Sequence, residues 1–358
     1  MDRFKVLGMM SGTSLDGLDL AHCHFWQKDN TWDFEIRQCT TIPYGESLYE
    51  KLKNAILLSE EEHTRLHHDY GVWLGQHAKA FIDKHHLELN FIASHGHTSH
   101  HRPAEGITFQ LGDGQKLANT SGHKVICDFR TLDVTLGGQG APLVPIGDSL
   151  LLSEYEFCLN LGGISNMSFQ KGKQRVAYDI GMANMPLNYL TEKIGLKYDK
   201  GGKLASSGTL HQNLLNELNA LDYYNLPYPK STGYEWFSSE VKPLIDASEA
   251  EIKDILHTVI HHNCEQIAYA IKKERPESGS RLLVTGGGAL NDFYSTILQE
   301  KLGKTCSVVV PPKNFIEYKE AMVFAFMGVL KSLGEINVLA TVTGAKKDSS
   351  SGVIFEPA

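Results

Sequence analysis

The chain has 358 residues, of which 42% are hydrophobic and 21% charged, so it is long enough to form two hydrophobic cores. Its formal net charge of -8 gives no basic face, which argues against nucleic acid as a partner. No apolar run approaches the roughly 18 residues of a membrane span, and the opening residues lack the apolar stretch of a signal peptide. We therefore expect a cytoplasmic protein with no membrane partner. The six cysteines show no zinc-ligand spacing and are expected to be free thiols.

The first 130 residues alternate between predicted strands and helices. Apolar or alternating runs predict strands, and apolar residues three and four apart predict helices. The first two strands flank a glycine-rich loop, which is the pattern of a hairpin. The predicted strands are 4–10, 18–26, 91–98 and 124–129, and the predicted helices are 47–58, 60–87 and a short one closed by Gly122.

The pattern restarts near residue 130. The run FCLNLGGISNMSFQ (157–170) is again a strand, a two-glycine turn and an alternating strand. Two explanations stand at this point: such turns are common in α/β proteins, or the chain carries a duplicated fold with a phosphate loop in each half. A mixed α/β architecture is expected in either case. Further strands are predicted over 175–181 and 281–285, with helices over 186–195, 210–221, 248–273 and 318–334.

Three glycine-rich turns directly follow apolar strands, with the sequences SGTSLDG, LGGISN and TGGGALN. Successive backbone N–H groups in such turns form a concavity that binds anions. In the first turn, Thr13 and Ser14 add hydroxyl donors, and Asp16 is placed to hold magnesium through water. The sequence leaves open whether Asp16 or Asp19 faces the metal. The chain has neither a Walker-type P-loop nor a GxGxxG fingerprint. One glycine turn would be weak evidence, but three after strands favour two phosphate loops and an adenosine loop.

A phosphoryl transfer also needs a group that orients or deprotonates the nucleophile. Asp179, in VAYDIGMAN, is the best candidate in the sequence. It ends a predicted strand and precedes Gly181, which would place its carboxylate at a strand edge facing a cleft. The alternative interpretation is an aspartate that caps a helix or stabilises a turn.

The segment SHGHTSHHRP (94–103) contains four histidines. It lacks a cysteine or carboxylate at a fixed spacing, so a polar loop is favoured over a metal site. Within this predicted loop, His97 and Thr98 suit hydrogen bonding to a sugar. The pair His261 and His262 falls on a predicted helix and is expected at the surface.

The segment GGQGAPLVP (137–145) surrounds Gln139 with three glycines and two prolines. A rigid, glycine-lined loop at the change of pattern suits a domain junction that lines a cleft. Arg130 and Asp133, just before it, can bind carboxylate or hydroxyl groups of a substrate.

Several of these motifs also resemble one known family. GMMSGTSLDGLD, CDFRTLDVTLGGQGAPLVP, LNLGGISN, PKSTGYEWF, TGGGALN and TVTGA occur in the same order in the anhydro-N-acetylmuramic acid kinase family. The resemblance runs from about residue 7 to 354, and its first two motifs are long and specific.

The resemblance implies an α/β, two-domain actin-like ATPase fold, with duplicated ribonuclease H-like cores and a central cleft that closes around ATP and sugar. Domain I would span 1–130 plus 338–358 and carry the first phosphate loop and part of the substrate site. Domain II would span 131–337 and carry the second phosphate loop, the catalytic aspartate and the adenosine loop.

The implied enzyme is a homodimer of peptidoglycan recycling that uses ATP and Mg²⁺. Water attacks the anomeric carbon of 1,6-anhydro-N-acetylmuramic acid, and the freed oxygen on carbon six takes the γ-phosphate. The product is N-acetylmuramic acid 6-phosphate.

The resemblance also assigns roles to residues of this sequence. Asp179 matches the general base that acts on the water, and Glu320 matches an acidic position near the phosphates, which adds it to Asp16 as a candidate magnesium ligand. The residues that match substrate-binding positions are His97, Thr98, Arg130, Gln139, Gly140 and Asn184. The residues that match ATP-binding positions are Gly12, Thr13, Ser14, Leu15, Asp16, Gly17, Leu18, Asp19, Gly162, Gly163, Gly286, Gly287 and Gly288.

Two segments depart from the family pattern. Family members usually read DTGPGN where this chain reads DIGMAN (179–184), and HGQT where it reads HGHT (95–98). Both changes are expected where the sugar binds, so they leave alternative functions open. One is a kinase for another anhydrosugar such as levoglucosan, which has no carboxylate for Arg130. Another is a non-catalytic, ATP-dependent sugar sensor, and a hydrolase built on Ser11 or Ser14 is a third.

Overall fold

The computed structural model of this protein describes residues 3–358. The strands are β1 (Phe4–Ser11), β2 (Leu18–Lys28), β3 (Thr31–Ile42), β4 (Phe91–Arg102), β5 (Ile107–Leu111), β6 (Val125–Cys127), β7 (Phe157–Leu161), β8 (Ile164–Lys171), β9 (Gln174–Met182), β10 (Ser280–Thr285), β11 (Cys306–Val309) and β12 (Val353–Phe355). The α-helices are α1 (Glu46–Lys53), α2 (Glu60–His85), α3 (Gly114–Ser121), α4 (Thr131–Thr135), α5 (Pro145–Leu150), α6 (Asn184–Glu192), α7 (Lys203–Ser206), α8 (Gln212–Asn219), α9 (Tyr234–Trp236), α10 (Lys242–Ala247), α11 (Ile252–Lys273), α12 (Asp292–Leu302), α13 (Lys313–Ser332) and α14 (Ala340–Thr343). Short 3₁₀ helices cover Ala55–Leu57, Pro103–Glu105, Lys200–Gly202, Asp222–Asn225 and Gly287–Leu290, and a π-helix covers Phe237–Val241.

The chain divides into two compact units. Unit 1 comprises the residues up to Leu152 together with Tyr318–Ala358, and unit 2 comprises Ser153–Glu317. This division differs from the sequence-based boundaries, because residues 131–152 and 318–337 lie with unit 1. Helix α13 contacts β1 at Gly8 through Ala321 and Ala325, which accounts for the grouping of its residues from Tyr318 onward with unit 1.

Unit 1 is built on a mixed sheet with the strand order β12-β6-β4-β1-β2-β3, and β5 pairs with β4. Strands β1, β2 and β3 form an antiparallel meander, while β4 and β6 continue the sheet in parallel beside β1. Helix α2 covers one face of this sheet. It places Leu66, Tyr70 and Leu74 one turn apart in a core that also contains Leu7 and Leu20.

Unit 2 is built on a five-stranded sheet with the order β11-β10-β7-β8-β9. Strands β7, β8 and β9 are antiparallel, and β10 and β11 run parallel to β7. Helix α11 supplies much of the apolar cover, with Leu256, Val259 and Ile267 all at most 1% exposed.

The two sheets repeat one topology. The order β6-β4-β1-β2-β3 in unit 1 matches β11-β10-β7-β8-β9 in unit 2, strand for strand and direction for direction. This is the order of a ribonuclease H-like core, so the duplicated actin-like ATPase fold predicted from the sequence is confirmed. Each core places a turn at the end of its first strand, and those two turns are the first two glycine-rich loops.

Three sequence-based expectations were wrong in detail. The predicted strand 91–98 does not end in a loop, because β4 continues to Arg102 and pairs with β5. His262 is buried rather than exposed, since its ring contacts Tyr224 and Asn219 inside unit 2. The predicted helix over 47–58 is α1 followed by a separate 3₁₀ turn.

The six cysteines are free thiols, as predicted, and all but Cys39 are buried. Across the described residues, no helix is both long and apolar enough to span a bilayer.

Candidate functional site

The first glycine-rich loop connects β1 to β2 in unit 1. The Leu15 amide closes a turn on the Gly12 carbonyl, and Leu15 itself has a positive φ of 57°. Gly17 has a φ of 149°, and a Cβ there would lie 2.7 Å from the Ile42 carbonyl oxygen. Only glycine fits this position, so the loop path is tightly constrained at its exit.

The side chains of this loop divide by exposure. Thr13, Ser14 and Asp16 are exposed at the tip, where hydroxyl and carboxylate groups are available to a ligand. Leu18 is 1% exposed and belongs to the core of unit 1, so it can offer a ligand its backbone alone. The Asp19 carboxylate accepts a hydrogen bond of 2.6 Å from Thr41 Oγ1. Of the two aspartates left open by the sequence, Asp16 is therefore the more accessible to a metal.

A buried hydrogen-bond network lies beside the loop. Tyr44 OH donates to Ser11 Oγ at 2.6 Å and lies 3.2 Å from Tyr70 OH. Ser11 Oγ lies 2.9 Å from His97 Nδ1, and because Tyr44 donates to Ser11 we assign the Ser11 proton to this contact. Burial lowers the pKa of His97 to about 4, so the ring is neutral and carries its proton on Nε2. His97 thus presents one fixed N–H donor.

The Ser11–His97 pair does not form a hydrolase dyad. Ser11 is 1% exposed, and its hydroxyl is committed to Tyr44 and His97. Among residues 3–358, no carboxylate is hydrogen-bonded or ion-paired to His97 to orient it as a base. The predicted alternative of a serine hydrolase therefore lacks support in this geometry.

Arg130 is held by two acceptors in unit 1. Its Nε–H donates to His95 Nε2 at 2.9 Å, and its Nη1 donates to the Gly140 carbonyl at 2.5 Å. Burial lowers the pKa of Arg130 to about 10, which leaves the guanidinium charged at neutral pH. Glu320 and Asp133 are the nearby negative charges that oppose this shift.

The backbone of the GGQG segment (137–140) is held in place by hydrogen bonds to Asp133, which is fully buried. One Asp133 oxygen accepts from the Gly140 amide at 2.7 Å, and the other accepts from Thr343 Oγ1 at 2.7 Å. The Gln139 amide also bonds to the Thr343 carbonyl, while its side chain is exposed. Asp133, predicted to contact substrate, instead supports the loop that surrounds Gln139.

Glu320 lies on α13 with an exposed side chain. Partial removal of water by the surrounding protein raises the pKa of the Glu320 carboxyl, and the charges of Arg130 and Lys319 act in the opposite direction. Lys319 is itself paired with the buried Asp148 at 2.8 Å. Glu320 is therefore an exposed carboxylate that feels the charges of Arg130 and Lys319.

Asp179 lies near the end of β9 in unit 2. Its Oδ2 accepts the Thr232 amide at 3.1 Å, and its own amide bonds to the Lys230 carbonyl. Tyr223 OH donates to the Asp179 carbonyl at 2.8 Å. Burial raises the pKa of the Asp179 carboxyl, and the Thr232 amide partly offsets this. A fixed, half-buried carboxylate with a raised pKa suits a general base.

Lys230 is the unusual cation of this region. Its ammonium donates to the Tyr223 carbonyl and lies 4.3 Å from the centre of the Tyr223 ring. Burial, helped by the charge of Lys273, lowers the pKa of Lys230 to about 8.

The two glycine-rich turns of unit 2 lie against each other. A Cβ on Gly286 would meet the Leu161 carbonyl at 2.7 Å, and Gly288 packs on the Leu161 side chain. Asn184 joins them, because its Nδ2 donates to the Leu161 carbonyl at 2.8 Å. The Asn184 amide also bonds to the Gly162 carbonyl. Asn184 thus lies against glycine turns that were predicted to bind ATP.

The residues of DIGMAN (179–184) that depart from the family pattern do not lie at an exposed sugar site, as the sequence suggested. Ile180 and Met182 are each 2% exposed, Ala183 is fully buried, and all three belong to the core of unit 2. The alternation of β9 explains this, because residues 180 and 182 point to the face opposite Asp179. These replacements therefore change the core.

The histidine-rich strand carries no assembled metal site. Within residues 3–358, no three His, Cys, Asp or Glu side chains are grouped to hold an ion. Thr98 is half-buried and accepts a long hydrogen bond of 3.5 Å from Gln110.

Several supporting residues escaped the sequence-based predictions. Tyr44, Tyr70, Tyr223 and Thr343 act through hydrogen bonds between residues 26 to 210 positions apart, and one sequence contains no signal for such pairs. Thr232 alone had a signal, since it lies in the PKSTGYEWF motif.

Comparisons with known proteins identify the family of this chain. The family model described as anhydro-N-acetylmuramic acid kinase matches residues 4–357. The chain is similar to the anhydro-N-acetylmuramic acid kinase of Haemophilus influenzae, with 34% identity covering 98% of this chain and 97% of the relative. It is 34% identical to the Aliivibrio fischeri protein of that name, covering 98% and 99%, and 33% identical to the Gloeobacter violaceus one, covering 96% and 97%. The chain therefore belongs to the anhydro-N-acetylmuramic acid kinase family.

Proposed function

We propose that this protein is an ATP-dependent kinase that opens and phosphorylates 1,6-anhydro-N-acetylmuramic acid, giving N-acetylmuramic acid 6-phosphate and ADP in cell-wall recycling. Family membership over nearly the whole chain supports the reaction class. The observation that carries the mechanism is Asp179, a half-buried carboxylate fixed by the Thr232 amide and raised in pKa.

Asp179 acts on the water. As the water oxygen bonds to the anomeric carbon, its proton passes to the free Asp179 oxygen, and the bond from that carbon to the bridging oxygen breaks. The bridging oxygen becomes the nucleophile that takes the γ-phosphoryl group, and ADP leaves. The Thr232 amide keeps the carboxylate in place through Oδ2, and Tyr223 OH holds the backbone carbonyl of the same residue.

The glycine turns bind ATP. Backbone N–H groups over Gly12–Asp19, with the exposed hydroxyls of Thr13 and Ser14, suit phosphate oxygens in unit 1. In unit 2, Gly162 and Gly163 form the second phosphate loop, and Gly286–Gly288 approach the adenosine.

Polar side chains of unit 1, two of them held by hydrogen bonds within the protein, would contact the sugar. His97 offers its Nε2–H, Arg130 offers its uncommitted guanidinium hydrogens, and the exposed Gln139 offers its amide. Thr98, Gly140 and Asn184 complete the set that matches the family.

The exposed carboxylates of unit 1 fit magnesium, which prefers oxygen ligands. Asp16 and Glu320 would hold the ion, directly or through water, together with phosphate oxygens. When bound, magnesium neutralises charge on the phosphates of ATP.

The deciding measurement is ADP release by the purified protein with magnesium-ATP and either 1,6-anhydro-N-acetylmuramic acid or levoglucosan. We expect strong turnover of the muramic sugar, because the DIGMAN changes lie in the core. In ¹⁸O-labelled water the label should enter the sugar and not the phosphate. Turnover of levoglucosan alone would select the other anhydrosugar kinase, and ATP binding without turnover of either sugar would select the sensor.

We also propose that the protein is a cytoplasmic homodimer, as the family resemblance implies. Ile194, Leu196 and Tyr198 are close in sequence and 45%, 46% and 56% exposed, which gives unit 2 apolar surface for a partner. Sedimentation velocity should give about twice the 39.8 kDa chain mass. A monomer at micromolar concentration would reject this proposal.

A further inference from the structure

Arg130 is a half-buried cation whose neighbouring negative charges, Glu320 and Asp133, do not pair with it directly. Its pKa is lowered by burial, and no described carboxylate within residues 3–358 forms an ion pair with it. A charge taken out of water without a partner is costly, so proteins place one where a ligand supplies the opposite charge. The arrangement therefore points to an anionic ligand group at Arg130.

His95 restricts how that ligand approaches. Its Nδ1 lies 2.9 Å from the Gly96 carbonyl, which can only accept, so Nδ1 carries the proton. Its Nε2 is then a bare acceptor for Arg130 Nε–H. Burial keeps the pKa of His95 well below its ordinary value, so the ring stays neutral and this tautomer persists.

The other side of the guanidinium is equally fixed. Nη1 donates to the Gly140 carbonyl, and the Gly140 amide is held by the buried Asp133. Two of the five guanidinium hydrogens are thus committed, and both hydrogens on Nη2 remain. An Arg130 fork fixed from two sides can bind a planar carboxylate with directional hydrogen bonds.

We propose that His95 is a positioning residue that orients Arg130 toward the lactyl carboxylate of the sugar, so that this pair selects substrates bearing a carboxylate. The inference rests on the proposed function and names the group that the site recognises. Neutral His95 suits this task, because a protonated ring would carry a hydrogen on Nε2 and could no longer accept from Arg130 Nε–H.

The test compares two sugars with each variant. One is 1,6-anhydro-N-acetylmuramic acid, and the other is 1,6-anhydro-N-acetylglucosamine, which lacks the lactyl group. Arg130→Ala should lower kcat/KM for the carboxylate sugar about a hundredfold, and His95→Leu about tenfold, with little change for the other sugar. His95→Gln retains an acceptor and should recover part of the loss. His68→Gln, an exposed histidine on α2, is the matched control.

The ratio of the two kcat/KM values separates positioning from stability. A merely structural role for His95 would lower turnover of both sugars equally, and that result would overturn the inference while leaving the proposed function intact. Equal wild-type turnover of both sugars would overturn it too. If the wild type phosphorylates neither sugar, the proposed function itself fails. Circular dichroism of each variant would identify a loss of folding. If Arg130→Ala does not fold, Arg130→Lys, which keeps the charge but lacks the planar guanidinium, replaces it in the comparison of the two sugars.

Discussion

At the scale of single residues, the proposed mechanism depends most directly on the carboxylate of Asp179. Asp179→Asn keeps the shape and the bond from the Thr232 amide but removes the base. We expect kcat to fall by about 10²–10⁴-fold while ATP affinity is unchanged. Steady-state kinetics and calorimetric titration with ATP measure the two quantities, and Asp222→Asn, an exposed acid of unit 2, is the control. A variant that keeps most of its activity would mean that another group is the base.

The pH profile of the wild-type enzyme tests the same group independently. Burial raises the pKa of Asp179, so the base is protonated at a higher pH than an ordinary aspartate. Activity should be full above this raised pKa and fall as the pH decreases through it. A profile of kcat/KM whose acidic limb lies at the ordinary aspartate value would contradict the assignment.

A second residue-scale prediction concerns the departure at Ile180. Ile180→Thr restores the family residue but buries a hydroxyl in the core of unit 2. We expect a loss of about 1–3 kcal/mol in the free energy of unfolding, with an unchanged KM for the sugar. Urea unfolding and initial rates measure the two effects, and Ile194→Thr at an exposed position should cost little. A large fall in KM with no loss of stability would show that residue 180 contacts the sugar after all.

At the scale of elements, the contact between β1 and α13 in unit 1 depends on one missing side chain. A Cβ on Gly8 would collide with the backbone carbonyl of Ala321, which no rotamer change can relieve. Gly8→Ala should therefore destabilise the protein by at least about 1–3 kcal/mol, measured by urea unfolding. Gly45→Ala is the matched control, because a Cβ there meets nothing within 4 Å. Equal stability of the two variants would mean that α13 is free to move away from β1.

The sequence predicted elements better than it predicted their partners. The 3.6-residue pattern of α2 and the Gly122 end of α3 are local signals, and both match the structure. The long extension of β4 was missed, since its pairing with β5 replaces the loop that the histidines suggested. The role of Asp133 was also misjudged, because its partner Thr343 lies 210 residues away. Local chemistry identifies a turn or a helix end, whereas a buried hydrogen bond between distant residues follows only from the packed fold.

At the scale of the whole molecule, ligand binding should increase the free energy of unfolding. A ligand that binds only the folded chain raises the free energy of unfolding by about 2.7 kcal/mol at a hundred times its Kd. A non-hydrolysable ATP analogue with magnesium should therefore raise the melting temperature measurably, by differential scanning fluorimetry. Because magnesium links carboxylates to phosphate oxygens, excess EDTA should remove much of this gain.

Variants can show which carboxylates are responsible for the magnesium-dependent part of the increase in melting temperature. Asp16→Asn and Glu320→Gln should each reduce the difference between the gains measured with magnesium and with EDTA. Glu105→Gln, an exposed acid in neither the first glycine-rich loop nor α13, should not. Asp179→Asn should keep the full gain, since its carboxylate acts on water rather than on ATP. A gain that is the same with EDTA would exclude these two residues as magnesium ligands. A gain lost in Asp179→Asn would place that carboxylate with the nucleotide, and the assignment of the base would then have to change.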